Sequence, residues 1–405
     1  MVHPQSLVHI IPSIHSSVDF IILRSVTPIH AGTGKAGGIV DLPIQRDEYG
    51  YPCLYSSSIK GALKTALLYA FTRMFNGNYE NARRAVQALL GPEPEEEESF
   101  ESSIAILDAY LLAIPIRSLR GVYAYVTTPV LLRKFYDRLE LFINYLEGKQ
   151  NEDKKGMTKN DYEKDKPILE LERLKHMIEE IERELMDKTD MAICISGEYK
   201  TLQVNELEGK VVLVEEVFLD IKPLNDELKV NKDDIKLISE LASKLKLEKP
   251  LLVISDDIAR EIIERGLIRL TRVRLSRETK TVDTGPWTEE YLPPKTVLHS
   301  LVLYKKPPLS RGFINKVLEE QKENIAEEDY IEALKRLDLL DSYKAEKVKE
   351  SNSLVEKFNL LAEANREFFR KVINEQLRGY IILGGHETIG KGIMKVEFLD
   401  LGDSL

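Results

Sequence analysis

Hydrophobic positions along the chain follow two periods. Phe20 to Val26 is an apolar run rich in isoleucine that stops short of Pro28, the pattern of a buried strand. A glycine-rich stretch, Gly32 to Gly38, and an extended segment broken by Pro43 follow. Ser56-Ser57-Ser58 opens an Ala/Leu-rich stretch reaching about Phe75. There Ile59, Leu63, Leu67 and Ala70 recur at helical spacing and the serines supply an N-cap. Further on, Leu132, Phe135, Leu139, Phe142 and Leu146 are spaced 3, 4, 3, 4, and Leu171, Leu174, Ile178, Ile181 and Leu185 repeat that spacing. With the hydrophilic stretch 148–166 between them, the two seams predict an antiparallel helical hairpin, read as an insertion.

Residues 211–220 and 250–254 read as strands. Arg269 to Leu275 alternates basic and apolar residues, and Val297 to Tyr304 is again apolar. Between these two, Ser276 to Lys295 holds Thr, Gly and three prolines and fits a β-hairpin arm projecting from a core. Residues 309–377 are mostly helical and charged. The chain closes with Tyr380 to Leu383, a glycine loop at 384–392 and a last strand, Met394 to Leu399. Strands alternating with helices make the fold class α+β.

Composition narrows the function less than the pattern does. The 405 residues are 43% hydrophobic and 31% charged, enough apolar mass for a core and too much for a wholly disordered chain. Two cysteines, Cys53 and Cys194, build neither a disulfide scaffold nor a four-cysteine zinc site, so the expected compartment is reducing, such as cytoplasm. No apolar run reaches the roughly 18 residues of a membrane span, and Met1 to Ser17 lacks the charged start of a secretory leader. The net charge of −10 argues against a nucleic-acid binder. Yet the charge is uneven: 93–101 is nearly pure acid, whereas 21–90 holds eight Lys/Arg against four Asp/Glu, which leaves room for a basic face.

Two glycine motifs mislead. Gly32-Thr33-Gly34-Lys35-Ala36-Gly37 matches G-x-G-x-x-G, but an extended segment and Pro43 follow where a dinucleotide site needs a helix. Gly385 to Lys391 matches G-x-x-x-x-G-K, but Gly392 stands where a P-loop needs Ser or Thr. Both loops still offer backbone N–H groups that phosphate oxygens can reach.

Six segments read together carry more. They are Thr27 to Gly34, Val40-Asp41-Leu42-Pro43-Ile44-Gln45-Arg46, Ser57-Ser58-Ile59-Lys60-Gly61, Arg117 to Thr127, Trp287-Thr288-Glu289-Glu290-Tyr291-Leu292-Pro293, and Gly384 to Gly392. The set closely resembles the RAMP superfamily, the RRM-like RNA-binding proteins of CRISPR systems, and in particular the repeated backbone subunits of Cmr (type III-B) effector complexes. The glycine loop and the Ser-x-x-Lys-Gly helix start are shared widely among RAMPs; the strings around Asp41 and Trp287 are more specific. The match spans Phe20 to about Leu399, and 131–190 and 306–377 are longer and more helical than the family leads one to expect.

The resemblance implies a modified RRM (ferredoxin-like) palm with a projecting β-hairpin thumb and helical insertions. It is a single RAMP domain: palm about 18–130, 191–270 and 378–400, helical insertion 131–190, thumb arm 271–296, helical insertion 306–377. It implies partners as well: guide RNA, target RNA, further copies in a helical filament and other Cmr-type subunits, with no membrane. By resemblance Asp41 carries the nuclease activity, in which a ribose 2′-OH attacks the adjacent phosphate with help from a divalent cation (Mg or Mn). Asp41 is then the metal ligand or the group that polarises the 2′-OH; spacing alone reads it as a solvated loop residue, on an arm expected to be mobile. His30, at the end of the first strand, could carry a proton or contact RNA. Glu289 and Tyr291 lie two apart, so on an extended segment they share a side and could order the metal, the target strand or the Asp41 arm, or anchor the thumb base. Lys60, in the first turn of the helix after the serines, is a natural phosphate contact. Arg46, Ser58, Gly384, Gly385 and Lys391 complete the expected RNA-binding set, and Arg269, Arg272, Arg274 and Arg277 form a basic strand into the thumb.

Two alternatives remain at this point: a non-catalytic RNA-binding scaffold that does not depend on Asp41, and a metal-independent guide-processing endonuclease acting alone. If the chain is a filament subunit, its negative charge is expected in 93–101 and the helical insertions, away from the RNA.

Overall fold

The computed structural model describes residues 16–34, 40–93, 100–153, 166–224, 230, 232–351 and 353–400, without the side chains of 146–153, 166–168 and 232. Most of the acidic run, residues 35–39 of the first glycine stretch and the linker 154–165 lie outside the described residues.

The strands are β1 (Ser17–Ser25), β2 (Cys53–Leu54), β3 (Ile104–Ile106), β4 (Ala109–Ser118), β5 (Val122–Thr127), β6 (Met191–Ser196), β7 (Val211–Leu213), β8 (Val217–Pro223), β9 (Leu251–Ile254), β10 (Ile268–Leu275), β11 (Val282–Tyr291), β12 (Val297–Tyr304), β13 (Tyr380–Ile382) and β14 (Ile393–Phe398). The helices are α1 (Ser56–Met74), α2 (Tyr79–Leu90), α3 (Pro129–Asp153), α4 (Lys166–Leu185), α5 (Lys232–Lys244), α6 (Asp256–Gly266), α7 (Arg311–Leu318), α8 (Glu327–Arg336), α9 (Ser342–Glu350) and α10 (Leu354–Lys371). The fold is α+β.

Twelve strands form one sheet, and β10 and β11 pair only with each other as a two-stranded ribbon. At the centre of the sheet the order is β14, β1, β12, β4, each antiparallel to the next. Helix α1 lies in the connection from β1 to β4, and α10 in that from β12 to β14. The continuous apolar run of β1 follows from burial on both faces. Ile21 and Leu23 join the core under α1, α2 and α7–α10, while Val18, Phe20 and Ile22 join the core under α3, α4 and α5.

The helical segments read as insertions supply these covering layers. Leu132, Phe135, Leu139 and Phe142 of α3 and Leu171 to Leu185 of α4 are buried in one core; Phe20 meets Phe135 at 5.5 Å and Phe142 at 6.0 Å between ring centroids, edge-on. On the opposite face Phe369 of α10 packs on Tyr304 at 5.9 Å. No helix among the described residues is long and apolar enough to cross a membrane. Cys53 and Cys194 are free and buried.

Three local readings change. The expected strand 211–220 is a hairpin, because Val214 and Glu215 both take positive φ (46° and 68°) and turn the chain between β7 and β8. The N-cap of α1 is Tyr55, whose side chain makes no capping bond; instead the Asp108 carboxylate accepts from Ser56 N at 2.6 Å. Because α1 begins at Ser56, Lys60 stands in its second turn rather than its first.

His299 of β12 is a buried polar group with no compensation. It stacks on Phe20 (5.9 Å, 13°), and among the described residues neither ring nitrogen has a hydrogen-bond partner. Burial, aided by nearby Arg138 and Lys134, pushes its pKa down to about 3. A depressed histidine contributes stability above its unfolded pKa of about 6.5 and loses it as pH falls toward the folded value. Between pH 7 and pH 5 that amounts to about 2 kcal/mol. We expect His299→Phe to lose less stability than the wild type over that interval, read as the pH dependence of the urea midpoint. An unchanged dependence would show that His299 is not the group responsible.

Candidate active site

Four segments distant in sequence meet where the ribbon leaves the sheet. After β1 the chain runs through 28–33. Its return, 40–46, lies antiparallel beside it, with Thr33 N donating to Pro43 O (3.1 Å) and Gln45 N to Ala31 O (2.8 Å). The other edge of the return joins β11: Leu42 N donates to Thr288 O and Glu290 N to Leu42 O, both 3.1 Å. The glycine loop 384–392 hooks around the first segment, with Gly385 N on His30 O and Gly392 N on Pro28 O, both 3.0 Å.

Asp41 sits on this return and is exposed, yet it does not hang free. Its Oδ2 accepts from Thr288 N at 2.7 Å, so the arm expected to be mobile is pinned to β11 at this residue. One carboxylate oxygen is thereby used. Among the described residues no group of three or more His, Cys, Asp or Glu side chains could by itself hold a metal ion.

Glu289 and Tyr291 do share a side of β11, and both are buried, at 1% and 0% exposure. Oε1 of Glu289 accepts from Trp287 Nε1 (2.7 Å) and faces His386 Nε2 (3.3 Å). Oε2 accepts from Tyr291 Oη and from Arg272 NH1 (3.1 Å). Burying a lone carboxylate costs several kcal/mol. Here burial raises the pKa, but the bonds from Tyr291, Trp287 and Arg272 and the adjacent His386 outweigh it and hold Glu289 below the usual carboxylate range. Burial, with the Glu289 bond, pushes the Tyr291 hydroxyl up to about 12, so it stays a donor.

The opposite side of β11 carries a second buried carboxylate, Glu290. Oε2 takes Arg46 NH2 (2.9 Å) and Oε1 takes Arg269 (3.3 Å); both arginines also reach Glu264 of α6. Arg46 donates further to Ile44 O at 3.0 Å, so its guanidinium is engaged within the chain. Of the basic strand, Arg269, Arg272 and Arg274 all face carboxylates, the last Asp283 at 3.7 Å.

His30 is 7% exposed, and its Nδ1 lies 2.7 Å from the Glu290 carbonyl. A carbonyl only accepts, so Nδ1 carries a proton, and in the neutral ring the lone pair stands on Nε2. Its ring stands 5.4 Å from both Tyr291 and His386. Lys391 Nζ lies 5.6 Å from the centre of the Tyr291 ring. His30, Glu289, Tyr291, Gly384, Gly385 and Lys391 thus form one cluster, with Asp41 tied to it through Thr288. Ser58 stands on α1 beside the arm: Gln45 donates to Ser58 Oγ and accepts from Tyr55 N, both at 2.7 Å; Lys60, two residues on, is not brought into the cluster and has Lys64 and Glu93 as its charged neighbours. Burial, then the like charge of Lys64, lowers the Lys60 pKa against the attraction of Glu93.

A sequence model of the RAMP superfamily matches residues 22–395. The chain belongs to the RAMP superfamily. The CRISPR system Cmr endoribonuclease Cmr4 of Pyrococcus furiosus is 31% identical over 288 residues, covering 69% of this chain and 79% of its own. The CRISPR system CMR subunit Cmr4 of Saccharolobus solfataricus is 29% identical over 408 residues, covering 96% and 99%. Among solved structures, a chain of the type III-B Cmr-beta complex bound to cognate target RNA aligns at a TM-score of 0.55 and 26% identity, over 95% of this chain and 98% of that one.

Within this RAMP chain, sequence reasoning missed His386, Glu290 and Gln45 as site residues. All three stand inside the strings that carry the resemblance; the partners of His386 and the Arg46 partner of Glu290 lie far away in sequence, whereas Gln45 meets Tyr55 and Ser58 only 10 and 13 residues on.

The glycine loop yields a graded test. Gly384 (φ +86°) and Gly390 (φ +74°) are both left-handed, but a Cβ on Gly384 would stand 2.2 Å from His30 O, whereas one on Gly390 would meet nothing within 4 Å. Gly390→Ala should cost about 1 kcal/mol, the backbone term alone. Gly384→Ala should cost several times more, because backbone must shift. Equal losses in chemical denaturation would refute the close approach.

Proposed function

We propose that this RAMP chain is a repeated backbone subunit of a type III-B CRISPR effector complex, holding guide RNA and cutting complementary target RNA at regular intervals. The observation that carries the reading is Asp41: an exposed carboxylate fixed by a backbone N–H at the root of a projecting ribbon. The named function of its Cmr4 relative and the target RNA in the similar complex support it.

On this reading the four central strands and their two crossing helices are a modified RRM palm; a 4-1-3-2 antiparallel order with helices after the first and third strands is the ferredoxin-like arrangement. The ribbon is the thumb, and Leu270, Val273, Leu275 and Val282 give it an exposed apolar surface. On the same reading the chain is a single RAMP domain in which 131–190 and 306–377 serve as the palm's covering layers. Other copies and other Cmr-type subunits are the protein partners.

The chemistry is attack of a ribose 2′-OH on the neighbouring phosphorus. The O2′–P bond forms, the P–O5′ bond breaks, the 2′ proton is taken up, and the departing 5′ oxygen receives a proton. Asp41 Oδ1, the oxygen not held by Thr288, faces this role as base or as cation ligand. A magnesium or manganese ion is commonly held by one or two carboxylates with substrate oxygens completing its shell, so a lone carboxylate fits a cation completed by RNA. Bound there, the cation would stabilise charge on the phosphate. His30 offers an Nε2 lone pair in a fixed tautomer as proton carrier. Glu289 and Tyr291, buried and fully paired, serve as positioning residues for β11. Lys60, Ser58, Lys391 and the backbone of Gly384 and Gly385 contact RNA phosphates, and Arg46 braces the arm.

The test is target cleavage by the reconstituted guide-loaded complex, wild type against Asp41→Ala, with and without EDTA. We expect evenly spaced cuts that need the cation and fall at least 100-fold in the variant while target binding persists. Unchanged cutting in Asp41→Ala would leave this chain a scaffold.

A further inference from the structure

His386 is the glycine-loop side chain that reaches into the cluster. Its backbone is left-handed (φ +69°) and its side chain is 29% exposed, more open than His30 or Glu289. Its Nε2 is 3.3 Å from Glu289 Oε1 and its Nδ1 is 3.5 Å from Arg272 NH1. A guanidinium only donates and a carboxylate only accepts, so Nδ1 must hold the lone pair and Nε2 the proton. This is the neutral imidazole. It ties the loop to both strands of the ribbon at once, Arg272 on β10 and Glu289 on β11.

We infer that His386 is a positioning residue for RNA cleavage, a latch that registers the glycine loop against the ribbon base and thereby against Thr288 and Asp41. This rests on the function proposed above. The path is short: His386 holds Glu289, and the neighbouring residue on β11, Thr288, holds Asp41 through its amide. On the proposed function the loop grips RNA and the arm cuts it, and the backbone of 28–33 also joins the two.

The latch belongs to the neutral ring. A second proton would sit on Nδ1, against Arg272. The groups facing the ring are Glu289, Arg272, His30, Tyr291 and Lys391. Burial, then His30, Arg272 and Lys391, outweigh the attraction of Glu289 and hold the pKa below its ordinary value. The neutral form therefore persists through neutral pH, and the latch opens only as pH falls below the usual histidine range.

The left-handed backbone makes a clean test available. His386→Gly removes the ring at a position where glycine is unstrained. His386→Gln keeps an uncharged N–H donor for Glu289. Both go into the guide-loaded complex beside Asp41→Ala, with guide and target binding measured separately. We expect His386→Gly to cut about 10- to 100-fold more slowly at saturating target, with binding unchanged. His386→Gln should recover most of the rate and lack the decline expected of the wild type at acid pH. Wild-type cutting by His386→Gly, a loss matched by lost RNA binding, or a glutamine no better than glycine would each overturn the latch. If Asp41→Ala also cuts normally, the proposed function itself fails; if only that variant is dead, the latch alone fails.

Discussion

Two carboxylates adjacent in sequence, Glu289 and Glu290, are buried on opposite sides of one strand, and the rest of the site depends on how they are neutralised. Strand β10 supplies one arginine to each side, Arg272 and Arg269, so the ribbon cannot pair out of register without stranding a buried charge. Glu290 then draws in Arg46 and the arm that carries Asp41, while Glu289 draws in Trp287, Tyr291 and His386 of the glycine loop. A strand that would otherwise be a hairpin edge becomes the hub on which three other segments converge.

The division of labour follows from burial. Groups with every polar atom engaged, such as Glu289, Tyr291 and Arg46, have nothing left for a ligand and act by holding others. Among the described site residues, Asp41 Oδ1 and, in the neutral ring, His30 Nε2 keep a polar valence that the chain does not use. In this acidic chain Arg46, Arg269, Arg272 and Arg274 near the ribbon are each matched by a carboxylate.

Much of this was legible in the sequence where the signal is local. The 3–4 spacing of Leu132 to Phe142 and Leu171 to Leu185 marked α3 and α4, and the period of two placed Glu289 and Tyr291 on one side. The β7–β8 turn was hidden because Val214 and Glu215 adopt it without Gly or Asn. The cap of α1 was hidden because Asp108 comes from 52 residues away. Arg46 reads as a free phosphate contact until Glu264 and Glu290, 218 and 244 residues on, are seen beside it. Asp41 is the hardest case: spacing alone makes it a solvated loop residue, and only the resemblance of the surrounding string singled it out.

The central strand has a consequence for biosynthesis. β1 is made early, but its neighbours β12 and β14 begin at Val297 and Ile393. At 5–20 residues per second, roughly 15 to 55 s pass between the emergence of β1 and that of β12. For that time an isoleucine-rich strand has both edges open, a template for pairing with other chains. The exposed strand is open to mispairing over that interval, and the cluster around His30 cannot assemble until the glycine loop, made after β12, has closed on it.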